Sequence, residues 1–458
     1  MPERRYELCV IGAGTAGFAA AEEARAAGRD LLLVTGDDEL GGTCIRRGCM
    51  PAKTLLAASE REAAVQRAGV LGIDGAQVQI DLPKLIRRKR ALVDYFAEDR
   101  VHELEAYPLA RGNARFVTED AIVVGGRRVR AERFVIASGA SVVAPAIPGL
   151  AEVETITSSD VLEMTRAPQR IAILGGGPVG CSFAQFFARV GAKVTLVQDA
   201  PELLRNDDPD VGAAVRSALE RDGVDVVCGA TVERAFRDGG DSVVVAASPF
   251  GTRAVRCDAV MLATNRRPNV DGLDLEAGRI AGDPARGVAV DAALRSPTNP
   301  RVYAAGDVVG RRSLVHAAAF AGRLAARNAY ADRAEPMRWE RWEAHAIDTQ
   351  PQVAVAGRSE RECRLLGIRY RKATLAAGEV GEALVTDQAE GFVKMLARED
   401  DGIVVGITLV TADAIDLAGE AIMLVDRGMS AEEIAEVPHL HPTMSELFVR
   451  VAERLAAA

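Results

Sequence analysis

The sequence predicts an α/β fold in which two similar strand–helix–strand units are followed by a C-terminal α+β domain. Three observations support this fold class. A Gly-x-Gly-x-x-Gly turn follows the first apolar strand, the same turn returns near the middle of the chain, and the tail mixes strands and helices without such a turn. Strands that alternate with helices in this way pack as a parallel sheet covered by helices.

The first unit opens the chain. Tyr6–Ile11 and Leu31–Val34 are predicted to be buried strands, and a helix is expected over about 18–27. The turn between the first strand and the helix holds three spaced glycines, which are Gly12, Gly14 and Gly17. The first glycine permits a tight turn, the second lets a pyrophosphate approach the backbone, and the third lets helix and strand pack closely. Free N–H groups at the helix start then meet the phosphates.

The second unit repeats this pattern. Strands are predicted at Arg170–Leu174 and Lys193–Val197, with a helix that ends near Val190. The glycines of its turn are Gly175, Gly177 and Gly180. One such turn is weak evidence, whereas two turns that are each flanked by a strand and a helix predict two dinucleotide sites.

The remaining segments complete the predicted organisation. They are helices over about 59–69, 82–106 and 315–330, strands at Phe134–Ala137 and Val302–Ala305, a loop over 138–148, and a tail with strands at Gly391–Ala397 and Ile403–Val410 and helices at Ala414–Arg427 and Ala431–Ala435. The predicted domains are a dinucleotide-binding domain in two parts, 1–150 and 271–335, a second dinucleotide-binding domain at 151–270, and a C-terminal domain at 336–458.

The composition narrows the class of protein. The chain has 458 residues, of which 48% are apolar and 26% charged, and its formal net charge is -9. That charge disfavours general nucleic-acid binding. No apolar stretch is long enough to cross a bilayer and no signal peptide opens the chain, so we expect a cytoplasmic protein without a membrane role. Of the seven cysteines, only Cys44 and Cys49 are close in sequence.

This cysteine pair lies in the most informative stretch, Gly41-Gly42-Thr43-Cys44-Ile45-Arg46-Arg47-Gly48-Cys49-Met50-Pro51-Ala52-Lys53. A spacing of five places two Cα atoms roughly 8.7 Å apart in a regular helix, whereas a disulfide needs about 7 Å or less. The helix is therefore predicted to be irregular, through Gly48 and Pro51. A helix start and two neighbouring arginines are expected to lower a thiol pKa. Two unrelated buried cysteines, or a zinc site, are the alternatives; no metal site is predicted.

These motifs resemble the class I flavoprotein disulfide reductases, which include dihydrolipoyl dehydrogenase, glutathione reductase, mycothione reductase and mercuric reductase. The resemblance also includes Ala305-Gly306-Asp307 and the segment His439-Leu440-His441-Pro442-Thr443-Met444-Ser445-Glu446, so it spans nearly the whole chain. It implies FAD at the first turn, in the two-part domain 1–150 and 271–335, and NAD(P) at the second turn, in the domain 151–270. It also implies that 336–458 is the dimerisation/interface domain. The cofactor-binding residues predicted on this basis are Gly12, Gly14, Gly17, Thr35, Gly42, Thr43, Gly139, Gly175, Gly177, Gly180, Gln198, Asp199 and Asp307.

The resemblance also implies the catalytic roles. Cys49 is expected next to the flavin, Cys44 exchanges with the substrate, and His441 is the general acid/base that Glu446 orients. In the family this histidine serves the disulfide of the opposite subunit, which implies an obligate homodimer. An imidazole suits the task independently, because it can take and return a proton near neutral pH. Pro442 is predicted to begin a helix, so that His441 projects from a turn.

Several positions depart from the family pattern. Thr35 replaces the acid that contacts the adenosine ribose, a contact that Asp37 or Asp38 could supply instead. Asn265 replaces a glycine. Ser182 replaces a glutamate that pairs with the lysine of the dithiol motif, so Lys53 is expected to lack that partner. Arg46 and Arg47 replace neutral residues between the cysteines, and two cations there favour an anionic disulfide.

Coenzyme and substrate are predicted from smaller signals. Gln198-Asp199 with no arginine before Arg205 favours NAD, with NADP as the alternative. No cysteine follows Cys363, and the double histidine resembles dihydrolipoyl dehydrogenase, so dihydrolipoamide, free or on a lipoyl carrier domain, is the first choice of thiol substrate. A reductase for another small disulfide, a quinone or a metal ion stays open. So does a flavoprotein that acts mainly as a docking subunit.

Overall fold

The computed structural model describes residues 4–36, 40–75, 78–264, 266–311 and 313–457. These residues form two compact units, each assembled from three stretches of the chain. The first unit comprises 1–52, 87–143 and 265–343, and the second comprises 53–86, 144–264 and 344–458. The chain therefore passes repeatedly between units, as expected when one domain is inserted into another.

A seven-stranded sheet forms the centre of the first unit. Its strands, in spatial order, are Leu109–Arg111, Leu31–Thr35, Arg5–Ile11, Arg127–Ile136, Ala121–Val124 and Arg115–Thr118, and Val302–Ala304 pairs with Arg127–Ile136. The strands on both sides of Arg5–Ile11 run parallel to it. Smaller two-stranded pairs join Ala140–Val142 to Arg266–Pro268 and Gly282–Asp283 to Gly287–Val288.

Helices cover this sheet. The helices of the first unit are Thr15–Ala26, Gly42–Arg46, Val315–Asn328 and Trp339–Trp342, with a 3-10 turn at Asp307–Val309. Gly322 allows two of these helices to pack closely, because a Cβ there would lie 2.1 Å from the Ala16 carbonyl oxygen. Each of two longer helices, Cys49–Arg67 and Leu82–Glu105, begins in one unit and ends in the other.

The second unit repeats the parallel topology. Its five-stranded parallel sheet has the order Asp225–Val227, Lys193–Val197, Arg170–Leu174, Ala259–Leu262 and Thr155–Thr157, and its helices are Ser158–Val161, Pro178–Arg189 and Pro209–Arg221. An antiparallel three-stranded sheet follows, with strands Thr231–Asp238, Asp241–Ser248 and Gly251–Cys257. Two 3-10 turns lie at Ala68–Leu71 and Leu150–Glu152.

A five-stranded antiparallel sheet organises the C-terminal part of the second unit. Its strand order is His345–Ile347, Gln352–Gly357, Val404–Thr411, Phe392–Arg398 and Tyr370–Ala376. The helices there are Glu360–Leu365, Gly381–Val385, Ala414–Asp426, Ala431–Ala435 and Glu446–Ala456, with a 3-10 turn at Ala377–Glu379. A continuous apolar core between sheet and helices includes Met395, Leu409 and Phe448.

The predicted fold class is confirmed: a mixed sheet with parallel central strands, a second sheet that is wholly parallel, and a C-terminal α+β part are present. Some details differ. The sheet over 231–257 was not expected, and strand Ala140–Val142 lies inside the predicted loop. The three predicted domain boundaries stay a prediction. Across the described ranges, no helix combines the length and apolarity that a bilayer crossing requires.

Candidate active site

The first glycine turn has the geometry that a pyrophosphate needs. Gly12 has φ +113°, and a Cβ on Gly17 would lie 1.7 Å from the Gly12 carbonyl oxygen, so both positions require glycine. Gly14 caps the helix Thr15–Ala26, and a Cβ built on it meets no heavy atom within 4 Å. Open space therefore lies beside the backbone where the family places phosphate.

The dithiol segment begins directly against this turn. Gly42 has φ +72°, and a Cβ on it would lie 2.7 Å from the Gly14 Cα. Gly42 also opens the helix that contains Cys44, and Thr43 next to it is exposed. The backbone of the dithiol motif is thus in contact with the dinucleotide turn.

Three further predicted FAD-side residues lie at the ends of first-unit strands. Thr35 is 3% exposed at the end of Leu31–Thr35. Asp307 is half-buried just after Val302–Ala304. Gly139 has φ +74°, and the backbone there is held by Asn269, whose Nδ2 donates to the Ser138 carbonyl oxygen at 2.9 Å. The predicted positions Asp37, Asp38 and Asn265 lie outside the described residues.

The two cysteines lie on two separate helices with a short break between them, which is the irregularity predicted from their spacing. Helix Gly42–Arg46 carries Cys44, and Cys49 is the first residue of Cys49–Arg67. Gly48 makes the break possible, because a Cβ on it would lie 3.0 Å from the Thr43 carbonyl oxygen and 3.3 Å from the Cys44 Cα. Pro51 lies inside the first turn of the second helix, where it is tolerated.

The two thiols are hydrogen-bonded to each other, and this bond and then burial raise the pKa of the Cys44 thiol. The expected lowering of the pKa at this thiol is therefore wrong. Burial disfavours a thiolate, and a neighbouring sulfur that shares a proton disfavours a second negative charge. In the chain alone Cys44 is half-buried and Cys49 exposed.

The arginines between the cysteines explain part of that error. Arg46 donates from Nε to the Leu40 carbonyl oxygen at 2.9 Å and lies 3.6 Å from the Asp94 carboxylate, so its charge is engaged elsewhere. Arg47 is exposed at the end of the first helix. Arg100 lowers the pKa of Cys44, but more weakly than the hydrogen bond and burial raise it, and no sequence motif places Arg100 near the thiol.

The second glycine turn closely repeats the first. Gly175 has φ +110°, and a Cβ on Gly180 would lie 1.8 Å from the Gly175 carbonyl oxygen. Gly177 has open space beside it and caps the helix Pro178–Arg189. The 5% exposed Gln198 directs its Oε1 to the Gly176 N–H at 2.7 Å, so this side chain holds the turn.

Asp199 follows Gln198 and is exposed. Its carboxylate lies 3.6 Å from the Arg205 guanidinium. The structure thus brings Arg205, the first arginine after this strand, next to Asp199 at the predicted ribose position.

Lys53 pairs with a carboxylate from a distant part of the sequence. Its Nζ pairs with Asp348, and both groups line a polar recess with Ser182. As expected, Lys53 has no acidic partner at position 182, and the Asp348 carboxylate supplies the negative charge instead. No local signal could reveal a partner so distant in sequence.

His441 and Glu446 are brought together as predicted. The His441 Nδ1 donates to Glu446 at 3.0 Å, and this hydrogen bond lowers the pKa of the Glu446 carboxyl. The His441 side chain is 74% exposed, whereas that of His439 is 7% exposed and bonds to Val437 and Glu420. The expected helix start at Pro442 is wrong, since the helix begins at Glu446.

The histidines and cysteines outside the candidate site differ in burial: His102 and His316 are exposed, whereas His345 and most of the cysteines are packed inside. His345 is buried against Asp207 at 2.7 Å. Four cysteines are buried and Cys228 is half-buried; the buried ones are Cys9, Cys181, Cys257 and Cys363. Within the described residues, no cluster of His, Cys, Asp and Glu forms a metal site.

Comparison with known proteins gives a consistent picture. The family profile described as pyridine nucleotide-disulphide oxidoreductase matches residues 6–322, and that of the family's dimerisation domain matches 344–452. A mercuric reductase of Bacillus cereus is 32% identical over 96% of this chain and 70% of its own length. A dihydrolipoyl dehydrogenase of Bacillus subtilis is 30% identical over 96% of both chains. The solved structure of the HOCl-induced flavoprotein disulfide reductase RclA from Escherichia coli is 25% identical, with a TM-score of 0.86 over 98% of this chain and 99% of that one.

Proposed function

We propose, from the premise that this chain belongs to the pyridine nucleotide-disulphide oxidoreductase family, that it transfers two electrons between NAD(P)H and a thiol/disulfide substrate through Cys44 and Cys49. FAD and a pyridine nucleotide are the cofactors of this family. The observation that carries the proposal is the hydrogen-bonded thiol pair at the helix break, next to a dinucleotide turn.

The residues of each turn fit the cofactor proposed for them. The open backbone at Gly14 and Gly177, each at the start of a 12-residue helix, offers N–H groups to a pyrophosphate. We assign FAD to the first turn and the pyridine nucleotide to the second. The flavin supplies the two-electron relay between the pyridine nucleotide and the disulfide.

The sulfur chemistry needs both cysteines. In the reducing direction the Cys44 thiolate attacks one sulfur of the substrate disulfide, and a mixed disulfide forms as the first thiol leaves. Cys49 then attacks the Cys44 sulfur, which releases the second thiol and closes the Cys44–Cys49 disulfide. Two electrons from NAD(P)H reopen that disulfide. The net reaction consumes one disulfide, one NAD(P)H and one proton, and yields two thiols and NAD(P)+.

The proton inventory supports a base at His441. Because the pKa of Cys44 is raised, its proton must be removed before it can attack. Glu446 stays a carboxylate and accepts the Nδ1 hydrogen of His441, which leaves Nε2 to exchange protons with a thiol. We propose that His441 serves the dithiol of the opposite subunit, in a homodimer formed through the dimerisation domain.

For the substrate we propose dihydrolipoamide with NAD in the cytoplasm. The double histidine of the C-terminal motif supports this choice, although the structure gives His439 a buried supporting position. The Asp199 carboxylate is suited to hydrogen-bond ribose hydroxyls. A lipoyl carrier domain is the corresponding protein partner.

A mercuric ion is a second candidate substrate, favoured by the mercuric reductases among the relatives. Two neighbouring thiols are soft ligands that suit such an ion. The exposed Cys49 and half-buried Cys44 would then bind the metal directly, and no mixed disulfide would form.

Steady-state assays on the purified FAD-containing protein test these proposals. Dihydrolipoamide with NAD, disulfides with NADH or NADPH, and Hg(II) with either coenzyme are compared for wild type, Cys44→Ser and a Cys228→Ser control. We expect dihydrolipoamide oxidation to be fastest, to disappear in Cys44→Ser and to persist in the control. Undiminished turnover in Cys44→Ser would overturn the dithiol role, and a higher kcat/KM for Hg(II) would replace the substrate assignment.

A further inference from the structure

The loop between strand Lys193–Val197 and helix Pro209–Arg221, here called the ribose loop (198–208), is held by unusual anchors. On one side it bonds to the second glycine turn. Gln198 Oε1 accepts from the Gly176 N–H at 2.7 Å, and the Leu204 N–H donates to the Gly176 carbonyl oxygen at 2.8 Å. Leu204 has φ +53°, a backbone conformation that is costly for a leucine and needs its surroundings to maintain it.

On its other side the ribose loop is anchored to the C-terminal part of the second unit by a buried charge cluster. Lys394 is 1% exposed, and its Nζ contacts Asp208 at 2.8 Å, Asp210 at 2.8 Å and Glu360 at 3.1 Å. Asp208 precedes helix Pro209–Arg221 but does not cap it with its side chain. Its carboxylate instead accepts the N–H groups of Glu360 and Arg361, at 3.1 and 3.2 Å.

Two further contacts join the same regions. His345 Nε2 and Asp207 Oδ1 lie 2.7 Å apart, with both side chains at most 10% exposed. Arg361 donates from its guanidinium to the Arg205 carbonyl oxygen at 2.7 Å. The loop is thus held at three positions, Arg205, Asp207 and Asp208, by residues from the C-terminal part of the second unit.

The cluster is costly to bury, so its role bears on function. A buried ion pair contributes little net stability compared with apolar packing, but removal of one partner is strongly destabilising. Such a cluster therefore enforces one loop geometry more than it adds stability. The loop carries Asp199 and Arg205, whose exposed charges lie 3.6 Å apart at the predicted ribose position.

We infer that Lys394, His345 and Arg361 are positioning residues for the coenzyme site: they set the ribose loop so that Asp199 and Arg205 meet the adenosine ribose of the pyridine nucleotide. This inference rests on the proposed function of the second glycine turn. It links the C-terminal part of the chain to coenzyme binding, a role separate from subunit association and from His441.

Arg361→Ala is the most direct test, because Arg361 is exposed and contacts the loop through its side chain at one backbone oxygen. The probe is ADP-ribose, which contains the adenosine and pyrophosphate but no nicotinamide, titrated calorimetrically into the FAD-containing protein. We expect the Kd to rise roughly 2- to 30-fold, the usual range for residues that couple through a structural element. The KM for NADH should rise in parallel, while kcat at saturating coenzyme and the FAD content stay at wild-type values.

Arg369→Ala is the matched control, since Arg369 is an exposed arginine of the same region that pairs with Glu399 at 3.7 Å. A double-mutant cycle completes the test, in which Arg361→Ala is combined with the Asp199→Ala/Arg205→Ala variant. The increase in the Kd for ADP-ribose caused by Arg361→Ala should be smaller in that variant, because the side chains that it positions are absent. The inference would be overturned if Arg361→Ala left the Kd for ADP-ribose unchanged. It would also be overturned if Arg361→Ala raised that Kd by the same factor in wild type and in the Asp199→Ala/Arg205→Ala variant. If wild type does not bind ADP-ribose, the coenzyme assignment of the second turn itself fails.

Discussion

The two glycine turns are nearly identical in backbone geometry but are closed by different structures. The first glycine of each turn, Gly12 or Gly175, has φ +113° or +110°. A Cβ on the third glycine would lie only 1.7 or 1.8 Å from the carbonyl oxygen of the first. The first turn is closed by the dithiol segment at Gly42, whereas the second is closed by Gln198 and a charge-anchored loop. The same glycine turn thus adjoins a cysteine pair in one unit and a charge-anchored loop in the other, which is the basis of the different roles that we propose for them.

His441→Gln is expected to give the largest effect and tests whether thiol exchange at the dithiol depends on the C-terminal histidine. Turnover should fall about 10²–10⁴-fold, the typical contribution of general acid/base catalysis. His439→Gln is the control, because His439 is buried and bonded on both nitrogens. Stopped-flow measurement of thiol–disulfide exchange separates this step from flavin reduction. Exchange in His441→Gln as fast as in wild type would remove the histidine from the mechanism.

Gly17→Ala and Gly180→Ala test directly the assignment of FAD to the first turn and of the pyridine nucleotide to the second. Each added methyl meets a backbone oxygen below 2 Å, and such overpacking costs about 1–3 kcal/mol or more, which corresponds to a loss of affinity of roughly 5- to 150-fold. Gly17→Ala should lose FAD. Gly180→Ala should retain FAD and bind NADH weakly. Absorbance of the bound flavin and NADH titration distinguish them, and the opposite pattern would reverse our assignment.

Cys49→Ala sharpens the account of the first turn. The first cause of the raised pKa of Cys44 is its hydrogen bond to Cys49, so this variant should lower that pKa. Alkylation of Cys44 by iodoacetamide at pH 7–8 should then accelerate, about 3-fold for each unit once the lower nucleophilicity of a more acidic thiol is included. Mass spectrometry of the peptide that contains Cys44 provides the rate. Equal or slower alkylation would show that Cys49 does not hold the Cys44 proton.

Glu360→Gln gives the smallest effect and tests the charge cluster behind the second turn. Burial raises the pKa of Glu360, but hydrogen bonds from Lys372, Tyr370 and Lys394 outweigh it and bring the value to about 2, below its ordinary 4.5. A depressed carboxyl pKa stabilises the fold above the unfolded value, and this stability is lost as the pH falls. The stability deficit of the variant, measured by urea unfolding, should therefore be largest above pH 5 and shrink between about 4.5 and 2. A deficit independent of pH would contradict the assigned charge state.

Local patterns were sufficient for the fold class and for the main motifs. Gly12–Gly17 and Gly175–Gly180 lie on the predicted strand-to-helix turns, and Cys44 and Cys49 are separated by the predicted break. These features follow from steric rules that act within a few residues.

Long-range contacts account for what the sequence did not reveal. Asp348 pairs with Lys53, and Lys394 reaches Asp208, across separations that no periodicity records. The direction of the pKa shift at Cys44 was mispredicted because the hydrogen bond to Cys49 and the burial of the thiol both depend on the folded geometry. The charges of Arg46 could be counted in the sequence, but its engagement with Asp94 could not.

An anaerobic titration with NADH tests the central claim most directly. The yellow wild-type protein, reduced by one equivalent of NADH, should expose two additional thiols to a thiol reagent and show a long-wavelength absorbance band that Cys49→Ser lacks. A colourless protein, or a flavin that is reduced by NADH while no thiol is released, would contradict the account.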